Sequence, residues 1–213
     1  MPRILGVSGS LRRASFNTAL LRAATEVVPA QTTIESASIR DIPLYDGDLE
    51  AEHGLPESVR ELKERIVQAD GLLIVTPEYN NSIPGVLKNT IDWLSRPAAD
   101  IARVFGNRPV AIVGATPGRG GTMLSQSAWL PVLRTLGTLP WFGGRLQVSD
   151  ARNVFDADGR LVDERVRSEL TRFVAGFASF VANASSARNR EPVAGEDGGG
   201  VTQTEIRLPR HDS

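Results

Sequence analysis

The order of apolar and amphipathic segments predicts an α/β protein, a five-stranded parallel sheet with helices on both faces. Three observations carry this expectation. Short apolar runs at 3–8, 71–76 and 109–115 show no polar alternation, which is how strands buried on both faces read. Segments with apolar residues at helical spacing separate the strands. The chain has 213 residues, enough for one domain with a sizeable core plus an appendage.

The first strand is RILGVS, residues 3–8, bounded by Gly and Ser. A helix follows at 17–28, with Ala19, Leu20, Ala23, Ala24, Val27 and Val28 on one stripe; Pro29 ends it. Residues 33–39 alternate weakly and suit a second strand, and 40–56 read as a polar loop. Val59, Leu62, Ile66 and Val67 mark a helix over 57–69. The third strand, 71–76, is GLLIVT, and Pro84 opens a helix over 84–95. PVAIVGA at 109–115 is the fourth strand, and 122–136 read as a helix despite Pro131. RLQVS at 145–149 is the last strand, and a long amphipathic helix spans 161–184. Strict β-α alternation with right-handed crossovers favours a doubly wound, flavodoxin-like sheet with strand order 2-1-3-4-5. The folded domain is expected at 1–184, with 185–213 a polar, disordered tail carrying a Gly198–Gly200 run.

Composition excludes several function classes. The 24 Lys and Arg balance 25 Asp and Glu, so the chain lacks the basic surplus of a nucleic-acid binder or a membrane-surface anchor. Without cysteine, it has no disulfide scaffold, thiolate metal site or cysteine nucleophile. Only His53 and His211 are present, so no His-rich metal centre is expected. The apolar start is too short for a signal peptide, and no run approaches the ~18 apolar residues of a membrane span. A cytoplasmic protein is the expectation. A serine hydrolase needs a G-x-S-x-G elbow, which Gly6-Val7-Ser8-Gly9-Ser10 does not provide.

Ligands of doubly wound sheets sit beyond the C-terminal strand ends, so the loops there are the candidate site. After the first strand, Ser8-Gly9-Ser10-Leu11-Arg12-Arg13-Ala14-Ser15-Phe16-Asn17 opens directly into a helix. Helix-start amides, hydroxyls, an amide side chain and a guanidinium suit a phosphate monoester. The same residues also suit a capped helix with solvated arginines. It is neither a Walker loop nor G-x-G-x-x-G. After the third strand, Thr76-Pro77-Glu78-Tyr79-Asn80-Asn81-Ser82 is a polar turn around one aromatic, fit for a flat heterocycle or simply a tight connector. After the fourth, Thr116-Pro117-Gly118-Arg119-Gly120-Gly121 lets backbone approach a ligand closely, or serves as a turn.

Gly9-Ser10-Leu11-Arg12 with Ser15 and Asn17, then Pro77-Glu78-Tyr79-Asn80, then Leu87-Lys88-Asn89 with Ile91-Asp92-Trp93, closely resemble the NADPH-dependent FMN reductases. The resemblance covers roughly residues 3–183. It implies a flavodoxin-like fold holding FMN, with NADPH as hydride donor and a quinone, chromate or another small oxidant as acceptor. It implies a homodimer or homotetramer. The FMN phosphate would lie against Ser10, Arg12, Ser15 and Asn17, with Phe16 also among the cofactor-binding residues. Pro77, Glu78, Tyr79 and Asn80 would line the isoalloxazine, with Gly118, Arg119, Gly120 and Gly121 in the third flavin loop. The cofactor carries the chemistry, so no catalytic side chain is needed. Asn81 stands where the family commonly has Gly, and Asn is the non-Gly residue best suited to left-handed backbone. A flavodoxin-like electron carrier is the rival reading, although such carriers are usually strongly acidic and this chain is at −1. Replacement of Ser15 or Asn17 by Ala is expected to weaken FMN binding with little loss of fold.

Lys88 and Asp92 are spaced for a helix-surface pair worth only ~0.3–0.5 kcal/mol. His53 is expected in an exposed loop without chemistry. Trp129, Trp141 and Phe142 are expected to be packing or interface residues.

Overall fold

The computed structural model describes residues 1–188. In order, the elements are β1 (Arg3–Ser8), α1 (Phe16–Glu26), β2 (Thr33–Ala37), α2 (Gly47–His53), α3 (Glu57–Gln68), β3 (Gly71–Val75) and α4 (Gly85–Leu94). Then come α5 (Ile101–Phe105), β4 (Pro109–Ala115), α6 (Met123–Thr135), β5 (Leu139–Pro140), β6 (Gln147–Val148), α7 (Ala151–Val154) and α8 (Glu164–Arg188). The sheet is parallel with order β2-β1-β3-β4-β5, the flavodoxin-like order expected.

The apolar strands bury both faces because successive side chains point to opposite sides. Leu73 and Val75 of β3 join α1 and α8 in one core layer. Leu72 and Ile74, one residue out of phase, join α3, α4, α5 and α6 in the other. All five residues of β3 are buried.

Four local features depart from the sequence reading. The polar loop at 40–56 contains α2, whose start is capped by Asp46: its carboxylate accepts from the Asp48 amide at 2.9 Å. None of its residues is fully buried and only Leu49 packs against the core, so it has no apolar stripe to betray it. The long helix begins at Glu164 rather than 161, because Leu161 bridges Phe155 and the Asp163 carboxylate caps the Val166 amide. It also runs on through Arg188, past the expected boundary at 184, and Ser185 donates to Asp70. The remainder of the expected tail, 189–213, lies outside the described residues.

The fourth departure concerns the fifth strand position, which is shared by two short pieces. β5 pairs the start of β4 and β6 pairs its end. Between them the chain leaves the sheet to bury part of Trp141 against Phe173, at 5.0 Å between ring centres, and Phe177. Glycine makes this possible: a Cβ on Gly144 would stand 2.7 Å from the indole, and one on Gly176 2.8 Å. Trp129 is fully buried, whereas Phe142 is exposed. No helix among the described residues is long and apolar enough to cross a membrane.

Candidate functional site

The three candidate loops leave adjacent parallel strands from flush positions. The Gly9 amide donates to Val75 O at 2.9 Å, and the Thr76 amide to Val113 O at 2.8 Å. The sheet ladder therefore continues one residue past each strand and sets the loops side by side. A cleft of about 90 Å³ opens between them. Ser10, Arg12, Ser15, Phe16, Asn17, Pro77, Glu78 and Tyr79 line it, all of them anticipated from sequence. Ala115, Thr116 and Pro117 also line it, while Asn80, Gly118, Arg119 and Gly120 do not. The sequence signal for Thr116 and Pro117 was their position directly after the fourth strand, where Thr76 and Pro77 follow the third.

The first loop ends in a helix start with unused donors. Ser15 caps α1 by accepting from the Thr18 amide at 3.2 Å, which leaves its hydroxyl proton free. The Phe16 and Asn17 amides have no partner among the described residues. Arg12 is exposed, and its guanidinium also lacks a partner there. Donors at a helix N-terminus, where the helix dipole favours negative charge, suit a phosphate.

Asn17 has a different first duty. Its Nδ2 donates to Ala115 O and its Oδ1 accepts from the Ala115 amide, both at 2.9 Å. This amide fork continues the β4 ladder where β3 has ended, and it is 4 % exposed. Asn17 thus pins α1 to the end of β4, so the expectation of little fold loss on its replacement does not hold.

The second loop owes its shape to two asparagines. The Tyr79 and Ser82 backbones bond each other at 3.2 and 3.0 Å, with Asn80 at φ 51° and Asn81 at φ 60° between them. Both central residues are left-handed, as a tight two-residue turn of this hand requires. Asn80 and Asn81 are therefore explained by backbone conformation, and the turn presents Tyr79, 49 % exposed, at the rim.

Glu78 joins the second loop to the third. Its carboxylate accepts from the Leu124 and Ser125 amides at 2.8 and 3.1 Å. These are orphan donors in the first turn of α6, whose own preceding residue, Thr122, supplies no side-chain cap. Glu78→Ala should therefore cost about 1–2 kcal/mol, the usual worth of a cap. Glu78→Gln, which retains one acceptor oxygen, should recover about half in urea melts. Equal stability of all three proteins would remove the capping role. Beneath the loop, Thr76 Oγ1 accepts from Trp129 Nε1 at 3.1 Å and shares a 2.9 Å bond with Ser125 Oγ.

The Leu87–Trp93 motif supports a neighbouring loop. Asn89 Nδ2 and Trp93 Nε1 both donate to Pro43 O, at 2.8 and 3.0 Å, and Asn89 Oδ1 accepts from the Tyr45 amide. Tyr45 sits edge-on to Trp93 and donates its hydroxyl to Glu50. The Arg96 guanidinium, hydrogen-bonded to Glu50, holds that carboxyl below the usual range. Lys88 and Asp92 form the expected pair at 2.7 Å. His53 closes α2 rather than lying in a loop; it is exposed and apart from the cleft. No group of His, Asp or Glu that would hold a metal occurs among the described residues.

Comparisons with known proteins converge on one family. Residues 2–153 match the sequence model of the NADPH-dependent FMN reductases. The chain is 46 % identical over 165 residues to an NAD(P)H-dependent FMN reductase of Pseudomonas aeruginosa, covering 78 % of this chain and 87 % of that protein. It is 39 % identical over 179 residues to a 2-hydroxy-1,4-benzoquinone reductase of a Burkholderia species, covering 84 % and 96 %. Among solved structures, the flavoenzyme NAD(P)H:(acceptor) oxidoreductase FerB of Paracoccus denitrificans superposes with a TM-score of 0.77 at 32 % identity, covering 86 % of this chain and 99 % of that one.

Proposed function

The chain belongs to the NADPH-dependent FMN reductase family, and on that premise we propose that it oxidises NADPH and reduces a quinone or another small oxidant, chromate included. The observation that supports this most directly is the cleft itself: unused helix-start donors on one side, and two backbone-walled loops on the other. When bound, FMN supplies the hydride and electron chemistry, so the protein's work is binding and orientation.

In this reading the Ser15 hydroxyl, the Phe16 and Asn17 amides, Ser10 and Arg12 hold the flavin phosphate. Asn17 keeps that loop in register with β4. Pro77, Glu78, Tyr79 and Asn80 flank the ring system, with the Thr116–Gly120 backbone opposite; Glu78 fixes the two loops relative to each other. Backbone amides there would meet the ring edge where negative charge develops. No side chain is asked to act as nucleophile or acid. Quinone as acceptor follows the naming of relatives such as the Escherichia coli quinone reductase, 37 % identical over 186 residues. Tyr79, Met123 and Leu124 stand 49, 48 and 43 % exposed, an apolar rim that a second copy would cover in a homodimer or homotetramer.

The test is a visible spectrum after FMN reconstitution and desalting, followed by anaerobic NADPH and then a quinone. Flavin bands should remain with the protein, bleach, and return. Retained flavin that NADPH leaves unbleached would overturn the reading in favour of an electron carrier. A Ser15→Asp variant separates binding from folding. Asp caps helices as well as Ser, so the melting midpoint should hold, while a carboxylate beside the phosphate should weaken FMN binding roughly tenfold or more. Wild-type FMN affinity in this variant would remove Ser15 from the phosphate site.

A further inference from the structure

Beside the cleft, between the first turns of α1 and the connection from α7 to α8, lies a cavity of about 560 Å³. That size falls within the ~300–1,000 Å³ of ordinary small-molecule sites. Arg12, Ser15 and Phe16 line both spaces, so the two are neighbours across a single stretch of backbone.

The cavity is electrostatically unbalanced. Arg12, Arg13 and Arg152 converge on it, and none of their guanidinium groups has a partner among the described residues. Arg22 also lines it, but its bonds go to the carbonyls of Asp158 and Gly159, which neutralise no charge. The wall also holds two carboxylates, Asp156 and Asp158, against its four guanidinium groups. Asp158 pairs with Arg160 at 3.3 Å, and Asp156 accepts from the Arg160 amide at 2.7 Å. Guanidinium groups that outnumber their counter-charges attract a further anion, and a phosphate is one they bind in bidentate fashion. Phe16, stacked on Phe155 at 6.0 Å, adds a half-buried aromatic surface to the same wall.

We propose that this cavity receives the adenosine 2′-phosphate end of NADPH, with Arg13 and Arg152 as the residues that distinguish it from NADH. The assignment rests on the reductase reading above. It adds a donor-specificity site beside the phosphate end of the flavin cleft: the aromatic wall faces the adenine, Arg13 and Arg152 hold the 2′-phosphate, and Arg12, Ser15 and Phe16 form the boundary between the two spaces.

The test uses the FMN-loaded full chain and its Arg13→Glu/Arg152→Glu variant. Calorimetric titration compares adenosine 2′,5′-bisphosphate with 5′-AMP. The wild type should prefer the bisphosphate by roughly tenfold or more, the variant should lose that preference, and its FMN affinity should stay within about twofold. Its kcat/KM for NADPH should fall to the level of NADH. Arg13→Gln/Arg152→Gln, which adds no negative charge, should lose the preference too, and an unchanged melting midpoint excludes misfolding. Absence of the preference in the wild type, or its survival in both variants, would overturn the assignment. A parallel loss of FMN affinity would overturn it as well, by giving the arginines to the flavin phosphate. Preferential binding by a protein whose flavin NADPH does not bleach would support the anion site and sink the reductase reading instead.

Discussion

Asn17→Ala should lower the melting midpoint by roughly 5–20 °C. The side chain makes two buried hydrogen bonds to one backbone unit, Ala115, which is itself 2 % exposed. Truncation leaves a buried N–H and a buried C=O without partners, at about 1–3 kcal/mol each. For a chain of this size, each kcal/mol moves the midpoint by about 2–4 °C. The cleft would suffer as well, because the same bonds hold the start of α1 against the end of β4. Saturating FMN should therefore restore only part of the lost stability. A midpoint within about 2 °C of wild type would show that water or a local shift satisfies Ala115, and that the fork contributes little.

Gly114→Ala should disturb the site most for the smallest change in sequence. A Cβ there would stand 2.2 Å from Thr76 O and 2.2 Å from Thr122 Oγ1. The first of these is backbone and cannot swing away. Either the end of β3 moves, carrying Pro77 and Glu78 with it, or β4 gives way and strains its pairing with Gln147 in β6. Overpacking of this kind costs about 1–3 kcal/mol. Since the displaced backbone is the cleft wall, FMN affinity should fall in the same variant by roughly tenfold or more, one factor of ten for each 1.4 kcal/mol. Gly85→Ala is the matched control, because its Cβ would meet nothing. If Gly114→Ala bound FMN like that control, the close approach of β3, β4 and the α6 start would not matter to the cleft.

Much of the molecule was legible in local patterns. GLLIV and PVAIVGA read as doubly buried strands because burial on two faces leaves no polar alternation, and β3 is buried throughout. The helix that Pro84 opens, the Ser15 cap and the strand order followed from rules of residue type, chain connection and handedness. The Asn80–Asn81 turn was open to the same reasoning, since tolerance of left-handed backbone belongs to the residue itself. α2 escaped because a short helix with a single partly buried apolar residue, Leu49, has no periodic apolar signal.

The amino-acid sequence by itself determined the first four strands, the sheet order and which three loops would meet at one edge, because strand and helix preferences act over a few residues and chain connection and handedness then restrict the order. Only the tertiary structure decided what the site residues do there. Asn17 finds Ala115 at a separation of 98 residues, and Glu78 finds the Leu124 amide at 46. Trp141 divides the fifth strand because Gly144 and Gly176 leave room for its ring. Such partnerships depend on which chain ends the folded sheet sets within about 3 Å of each other, a distance that no local preference encodes.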